Sequence, residues 1–260
     1  MVKLAVTGAG GRMGSLIARL ALEDKDFKVV GVIERPDHPL VGKEFAPGVK
    51  CYRSLKEVEE KPDVVIDFTA PEATLSLLKE AKELRVPLVI GTTGFTAEEK
   101  REIEEASKEL PILLSPNMSL GVNLLFKLVA EAAKALKDKG YDVEIFEIHH
   151  RFKKDAPSGT AVRLGEIVAE AFGKSLEEMA VYGRKGMVGQ RRPDEMGILA
   201  ARMGDVVGDH TVFFATLGER LELTHRATSR ETFARGALVA AKWLAGKEPG
   251  LYNMFHVLGF

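Results

Sequence analysis

Fifteen residues in the second half of the chain have the side chains and spacing expected of a reactive site. The sequence EIHHRFKKDAPSGTA, at positions 147–161, contains His149 and His150, three cationic side chains and a Ser-Gly-Thr turn. Imidazole exchanges its proton near neutral pH, and burial can lower the pKa of a lysine ammonium enough for acid-base chemistry. This composition predicts proton transfer by a histidine and a lysine.

The elements around these residues should hold them at a helix N-terminus. Residues 143–148 alternate apolar and acidic side chains as a half-buried strand does, and residues 155–159 read as a turn. A helix should follow from about Thr160, with Ser158 as its N-cap. Because unpaired N–H groups and the helix dipole attract anions there, we predict an anionic ligand, most simply a carboxylate. Positive charge beside it would come from Lys153 with Arg151 or Lys154.

A solvated basic rim is the competing interpretation of the same segment. A run such as HHRFKK at a strand end is more often exposed surface than a site. Pro157, Ser158 and Gly159 favour a site, because they turn the chain where the charges lie and place a helix N-terminus within reach.

The N-terminal residues predict a dinucleotide-binding loop. A buried strand at residues 2–7 is followed by a glycine-rich turn and by an amphipathic helix to about Leu22, the order that such a loop requires. The glycines fit G-x-x-G-x-x-G, which departs by one residue from G-x-G-x-x-G; they are Gly8, Gly11 and Gly14.

The second strand, residues 27–33, ends in an acid that could bind ribose. Glu34 follows the loop at about the sequence separation where such folds place a carboxylate that accepts hydrogen bonds from the adenosine ribose hydroxyls. Arg35 could stack on adenine or bind a 2′-phosphate. The alternative is an exposed pair of charges at a strand end.

The first part of the chain predicts a doubly wound parallel sheet, the Rossmann form of the α/β class. Strands at residues 64–68, 87–90 and 112–115 alternate with helices at residues 72–84 and 97–110. Ligands bind such sheets at the carboxyl ends of the strands, so the cofactor cleft should be lined by Thr69 and by residues 91–94 and 115–117.

Beyond Asn117 the pattern indicates a smaller α+β domain with an antiparallel or mixed sheet. Its elements are a helix at residues 121–136, the strand and helix of the reactive segment, and strands at residues 206–216 and 220–226. Residues 182–195 read as a long loop. The last helix, residues 232–244, should pack on the first domain, which gives a dinucleotide-binding domain of residues 1–119 and 230–260 and a substrate-binding, tetramerisation domain of residues 120–229.

Composition narrows the class of protein. The chain has 260 residues, 45% of them hydrophobic and 29% charged, with no apolar run of membrane-span length and no signal peptide, so we expect a cytoplasmic protein without a membrane partner. Cys51 is the only cysteine, which excludes a Cys-based metal cluster, and we predict no metal site. The formal charge of −1 argues against nucleic acid as a partner.

Taken together, these motifs resemble the dihydrodipicolinate reductase family of bacterial lysine and diaminopimelate biosynthesis. The resemblance covers nearly the whole chain, and its strings are GAGGRMG at 8–14, DFT at 67–69, GTTG at 91–94, SPNMSLGVN at 115–123, EIHHRFKKDAPSGTA at 147–161 and GDHTVFFATLGERLELTHRATSR at 208–230.

The resemblance implies roles for particular residues. His149 would be the catalytic acid-base residue and Lys153 the proton donor. The substrate carboxylates would contact His150, Ser158, Gly159 and Thr160. The cofactor contacts would be Gly8, Ala9, Gly10, Gly11, Arg12, Met13, Glu34, Arg35, Gly91, Thr92, Thr93, Ser115, Pro116, Asn117 and Met118.

The implied reaction is reduction of an unsaturated cyclic dicarboxylate by NADH or NADPH, in a homotetramer built through the second domain. Some family members have a basic residue after DFT where this chain has Ala70, which would leave NADPH binding more dependent on Arg35. Two other readings stay open, another two-domain dehydrogenase acting on a small carboxylate and a non-catalytic sensor of NAD(H).

Overall fold

Strands and helices alternate through the first half of the chain in a computed structural model that describes residues 1–260. The strands are β1 (Val2–Thr7), β2 (Phe27–Ile33), β3 (Glu44–Ala46), β4 (Val49–Tyr52), β5 (Val64–Asp67), β6 (Leu88–Ile90), β7 (Pro111–Leu114), β8 (Asp142–His149), β9 (Ala180–Val181), β10 (Met196–Arg202), β11 (Gly208–Thr216), β12 (Glu219–Ala227) and β13 (Gly250–Tyr252). The helices are α1 (Arg12–Glu23), α2 (Pro71–Leu84), α3 (Ala97–Ser107), α4 (Leu120–Leu136), α5 (Gly159–Phe172), α6 (Leu176–Met179), α7 (Glu231–Leu244) and α8 (Met254–Leu258).

The chain divides into two units. Unit 1 comprises Met1–Leu120 and Glu231–Phe260, and unit 2 comprises Gly121–Arg230. None of the helices combines the length and the apolar character needed to cross a lipid bilayer.

Unit 1 is a doubly wound sheet, as the sequence predicts. Its strand order is β13-β7-β6-β5-β1-β2-β4-β3, and every neighbouring pair is parallel except β3 with β4. The central strands β5 and β6 are buried along their whole length because helices cover both faces of the sheet. One core cluster includes side chains of α1 and α7, and another includes side chains of α2 and α3. A cleft opens at the carboxyl ends of β1, β2 and β5, where such sheets bind ligands.

Unit 2 is built on a mixed sheet with the order β12-β11-β8-β10-β9. The central strand β8 is parallel to β10 and antiparallel to β11. Helix α5 packs closely on the sheet at Gly165, where an added Cβ would lie 3.0 Å from Ile198 Cδ1 of β10 and 2.8 Å from Leu176 Cδ1 of α6. The N-terminus of α5 therefore has a fixed place near the end of β8.

Some element predictions were wrong or incomplete. Helix α3 ends at Ser107 rather than about Leu110, and β11 begins at Gly208 rather than Val206. Strand β10 was missed, because MGILAAR contains one glycine and two alanines and shows little alternation. The short strands β3, β4 and β13 were also missed.

Candidate active site

The glycine loop after β1 has the geometry of a phosphate-binding turn. Gly8 has φ +68°, a conformation that favours glycine, and its carbonyl accepts from the Gly11 N–H at 2.9 Å. A Cβ at Gly14 would overlap the Gly8 carbonyl oxygen, so the helix can approach the loop this closely only with glycine there. Gly11 caps α1 without a side-chain hydrogen bond, and the first turn holds no acidic residue. This helix N-terminus is therefore suited to an anion.

The acid at the end of β2 lies directly against that loop. Glu34 Oε1 accepts from the Gly10 N–H at 2.7 Å, and Glu34 Oε2 accepts from the Arg35 N–H at 3.1 Å. The Arg35 guanidinium is exposed and lies 3.2 Å from an Asp37 carboxylate oxygen. A cleft of about 470 Å³ opens beside these residues, and its lining includes Thr7, Gly8, Glu34, Arg35, Thr69 and Ala70. The residues present thus fit the adenosine half of a dinucleotide.

A buried carboxylate ties the strand ends of unit 1 together. Asp67 is 1% exposed, and its two oxygens accept hydrogen bonds from the hydroxyls of Thr7, Thr69, Thr74 and Thr92 at 2.5–2.9 Å. Thr92 Oγ1 also accepts from the Thr69 N–H at 2.9 Å. No role for Asp67 was predicted from the sequence, although an acid that ends the apolar run VVI is unusual enough to mark this position.

The two remaining loops of the predicted cofactor site make close local contacts. The Phe68 ring packs on Gly91 so closely that a Cβ there would overlap it. Ser115 Oγ donates to the Asn117 carbonyl at 2.8 Å, and Asn117 Oδ1 accepts from the Ser119 N–H at 2.9 Å. Met118 is 1% exposed in the core, so its backbone is the part available to a cofactor.

In unit 2 the site is organised by Glu147, which is completely buried. Its Oε2 lies 2.6 Å from His149 Nδ1, and the Arg202 guanidinium of β10 donates to both carboxylate oxygens, at 2.8 and 2.9 Å. The Ser158 N–H, at the start of α5, donates to Oε1 at 3.0 Å. One carboxylate therefore joins the end of β8, strand β10 and the N-terminus of α5.

His149 keeps its imidazole mostly inside the protein, with 12% of the side chain exposed. Burial lowers the pKa of His149, the Glu147 carboxylate opposes that shift, and the net change is downward from the usual 6.5. With Nδ1 occupied by Glu147, the atom left for proton exchange is Nε2.

Ser158 is the N-cap of α5, as predicted. Its Oγ accepts from the Ala161 N–H at 3.2 Å and lies 2.9 Å from His210 Nε2. Burial lowers the pKa of His210 to about 3, so this imidazole is neutral near pH 7, and its Nδ1 has no partner. Because an unpaired buried N–H is costly, His210 carries its proton on Nε2 and donates it to Ser158 Oγ. The Ser158 side chain, which is 2% exposed, thus has a structural role as the N-cap of α5. Its contact with substrate stays a prediction.

The other predicted residues of this segment lie between the end of β8 and the first turn of α5 in the chain. Lys153 is partly buried, and its Nζ lies 2.8 and 2.9 Å from the two Asp155 carboxylate oxygens. His150 has a buried Nδ1 without a partner. Gly159 is exposed, and a Cβ there would meet nothing within 4 Å. The neighbouring cations are exposed, as a solvated rim would be: Arg151 and Lys154.

Three residues of this site were missed from the sequence: Glu147, Arg202 and His210. Glu147 could have been found, because it shares the inward face of β8 with buried Val143 and Ile145. Arg202 and His210 come from β10 and β11, and no local spacing relates them to His149.

A Rossmann unit with a glycine-rich loop at a helix N-terminus, together with a unit that carries His149 and Lys153 between β8 and α5, is the architecture of a two-domain NAD(P)-dependent dehydrogenase. The chain belongs to the dihydrodipicolinate reductase family. Residues 2–118 match the family model "Dihydrodipicolinate reductase, N-terminus", and residues 121–258 match "Dihydrodipicolinate reductase, C-terminus".

Curated relatives cover the whole chain. The 4-hydroxy-tetrahydrodipicolinate reductase of Aquifex aeolicus is 55% identical, over 99% of this chain and 99% of that protein. The enzyme of the same name from Anaeromyxobacter dehalogenans is 52% identical, over 100% and 98%. Among solved structures, the dipicolinate-bound dihydrodipicolinate reductase of Paenisporosarcina sp. TG-14 superposes with a TM-score of 0.80 at 24% identity, covering 98% of both chains, a likeness of fold.

Proposed function

We propose that this protein is the NAD(P)H-dependent reductase that converts 4-hydroxy-tetrahydrodipicolinate, through dihydrodipicolinate, to tetrahydrodipicolinate in lysine and diaminopimelate biosynthesis. The observation that carries the proposal is the Glu147-His149 pair beside the N-terminus of α5, with Lys153 in the same segment. This arrangement supplies proton transfer next to a site for carboxylates, which is what reduction of a cyclic dicarboxylate requires. Family membership and the curated relatives support the same substrate.

The chain's own residues have separable tasks in this reaction. Reduced nicotinamide, when bound, supplies the hydride for C4 of the substrate ring. In unit 2 the first-turn N–H groups of α5, at Gly159 and Thr160, bind a substrate carboxylate, and His150 contacts the other. Lys153 donates the proton that completes reduction of the resulting enamine, while His149 Nε2 exchanges protons with the reacting ring. The positive charge of this segment also stabilises negative charge that develops on the ring.

We assign cofactor binding to unit 1. The N-terminus of α1 binds the pyrophosphate, Glu34 accepts from the ribose hydroxyls, and Arg35 lies beside the same cleft. The loops at residues 91–93 and 115–118 complete the proposed site. Glu34 favours NADH, and Arg35 offsets its repulsion of a 2′-phosphate, so both cofactors should be used with at most a modest preference.

Arg35→Ala should weaken NADPH binding and leave NADH binding nearly unchanged. The Arg35 guanidinium is exposed and paired only with Asp37, so it can turn to the 2′-phosphate. Loss of a charge-assisted hydrogen bond should cost about 1–3 kcal/mol in NADPH binding. Dissociation constants for both cofactors would measure this, with NADH as the internal control. Equal weakening of the two would mean that Arg35 stacks on adenine instead.

Gly159→Ala should raise KM by about tenfold or more with a smaller effect on kcat, because a methyl group intrudes on bound substrate in ground and transition states alike. The fold should tolerate the change, since the new Cβ meets no protein atom within 4 Å. Steady-state kinetics would be combined with inhibition by pyridine-2,6-dicarboxylate, which should weaken in parallel, and with NADH affinity, which should not change. Unaltered inhibition would place the carboxylate site elsewhere.

We further propose a cytoplasmic homotetramer assembled through unit 2. The sheet leaves a partly exposed apolar face on the side away from Glu147, formed by Phe146, Leu199 and Phe213. Burial of such a face against further copies of the chain would account for it.

The direct test is oxidation of NADH or NADPH by the purified protein in the presence of enzymatically generated 4-hydroxy-tetrahydrodipicolinate. Loss of the reduced-nicotinamide absorbance should depend on that substrate and on the protein. Cofactor binding without oxidation would favour a sensor, and oxidation with another small carboxylate alone would favour a different dehydrogenase.

A further inference from the structure

We propose that Glu147 is a positioning residue for the reaction. It holds the ring proton of His149 on Nδ1, which leaves Nε2 as the atom that exchanges a proton with the substrate, and it fixes the N-terminus of α5 relative to that ring. The inference rests on the proposed function, because it concerns how the same site works.

The carboxylate of Glu147 has a complete set of donors. Oε1 accepts from Arg202 Nη2 at 2.9 Å and from the Ser158 N–H at 3.0 Å. Oε2 accepts from Arg202 Nη1 at 2.8 Å and lies 2.6 Å from His149 Nδ1. A carboxylate offers about four lone-pair directions, and all are used here, so no position is left for a carboxyl proton. The proton between Glu147 and His149 therefore belongs to Nδ1.

Electrostatics supports the same assignment. Burial raises the pKa of Glu147, but the hydrogen bonds from Arg202, His149 and the Ser158 N–H outweigh it, and the net shift is downward from 4.5. Glu147 is thus ionised at neutral pH although its side chain is completely buried. An ionised carboxylate can only accept, which requires Nδ1 to donate.

Glu147 is also the group that favours a protonated His149. Arg202 from β10 and Lys153 from the loop after β8 lower the pKa of His149, as burial does, and Glu147 raises it. The His210 ring of β11, whose centroid lies 5.1 Å from that of His149, is neutral because burial lowers its pKa to about 3. Removal of the Glu147 charge should therefore move the pKa of His149 further down.

Glu147→Gln should reverse the hydrogen bond to His149. The amide NH₂ of the new glutamine cannot take the position of Oε1. Both groups that face Oε1, Arg202 Nη2 and the Ser158 N–H, are donors that cannot become acceptors. At the Oε2 position it meets Arg202 Nη1 and His149, and the imidazole can accept on Nδ1 by moving its proton to Nε2. The variant thus favours the tautomer with its proton on the wrong nitrogen.

Strand β8 provides a matched control in Glu144. This residue lies on the opposite face of the same strand and pairs with Arg184 and Arg191, at 2.9 and 3.1 Å. Glu144→Gln removes an ion-paired carboxylate from β8 without touching His149. If the strand needed these charges only for its structure, both substitutions would lower kcat alike.

The kinetic test compares Glu147→Gln with Glu144→Gln across pH. We expect kcat of Glu147→Gln to fall on the order of a hundredfold, the scale of a mispositioned acid or base, and Glu144→Gln to remain near wild type. The limb of the kcat profile that reports His149 should move to lower pH. In a His149→Ala background, Glu147→Gln should cause no further loss of kcat, although KM can still rise through the Ser158 contact. Additive losses of kcat would overturn the proposal.

A spectroscopic measurement on the wild-type protein decides the point even if Glu147→Gln does not fold. Long-range ¹H–¹⁵N correlation of ¹⁵N-histidine-labelled protein gives the tautomer of each ring, and His149→Ala assigns the signal. Nδ1 should be protonated in neutral His149; a neutral ring protonated on Nε2 would refute the inference. A wild-type protein that binds NADH but lacks reductase activity would contradict the proposed function and would not change the tautomer result. Failure of the proposed function and failure of this inference are therefore distinguishable.

Discussion

His149→Ala and Lys153→Ala are each expected to lower kcat by about a hundredfold or more, the usual contribution of a positioned proton donor or acceptor. His149 presents Nε2 as its free ring atom because Glu147 occupies Nδ1. Lys153 is partly buried beside the α5 terminus, unlike the exposed Lys154. Steady-state kinetics at saturating substrate and cofactor would measure the effect.

Lys174→Ala is the control for the lysine variant. Lys174 belongs to the same unit and pairs with Asp194 at 3.1 Å, outside the candidate site. It should retain wild-type kcat. If both candidate variants kept kcat as well, the acid-base assignment would be lost, although the dinucleotide and carboxylate sites could stand.

Arg202→Met is expected to lower the free energy of unfolding by about 3–5 kcal/mol, because it leaves a buried carboxylate without its cationic partner. In the wild type the pKa of Glu147 is lowered on folding, so its contribution to stability is present above the usual value of 4.5 and is lost as pH falls through the folded pKa. The difference in the free energy of unfolding between variant and wild type should therefore be largest at neutral pH and should become smaller on acidification. Urea unfolding at several pH values would measure it.

Arg226→Met is the comparison, since Arg226 is an exposed arginine of β12 that lies 3.7 Å from Asp209. Its loss should cost at most about 1 kcal/mol, as exposed pairs do. Equal destabilisation by the two changes would contradict the picture of Glu147 as a buried charge that depends on Arg202.

The fold class could be predicted because each strand and helix of unit 1 has its own pattern of apolar residues. Buried parallel strands are continuous apolar runs, and the helices between them are amphipathic, so β1, β2, β5 and α2 follow directly from periodicity. Strand β10 could not be read in this way. Met196 and Ile198 pack against α5 at Gly165, but the glycine and the two alanines among them give neither a strand nor a helix signal.

The candidate site was predicted in part for a similar reason. His149, Lys153 and Ser158 lie within a few positions of one another, so the sequence alone indicates their chemistry. The charge balance that governs His149 depends on Arg202, which lies 55 residues beyond Glu147 and reaches it only through the parallel pairing of β8 with β10. Long-range pairings of this kind have no local signature, and Glu147 without Arg202 would read as an acid on a half-buried strand.

Transfer of a labelled hydride would test the proposed reduction at the reacting carbon itself. The protein would be supplied with 4-hydroxy-tetrahydrodipicolinate and with reduced nicotinamide cofactor that carries deuterium at both positions of C4, and the product would be analysed by mass spectrometry and NMR. We expect tetrahydrodipicolinate with one deuterium at its own C4, together with a proton from solvent at the neighbouring carbon. A product without deuterium at C4, or no oxidation of a cofactor that does bind, would contradict it.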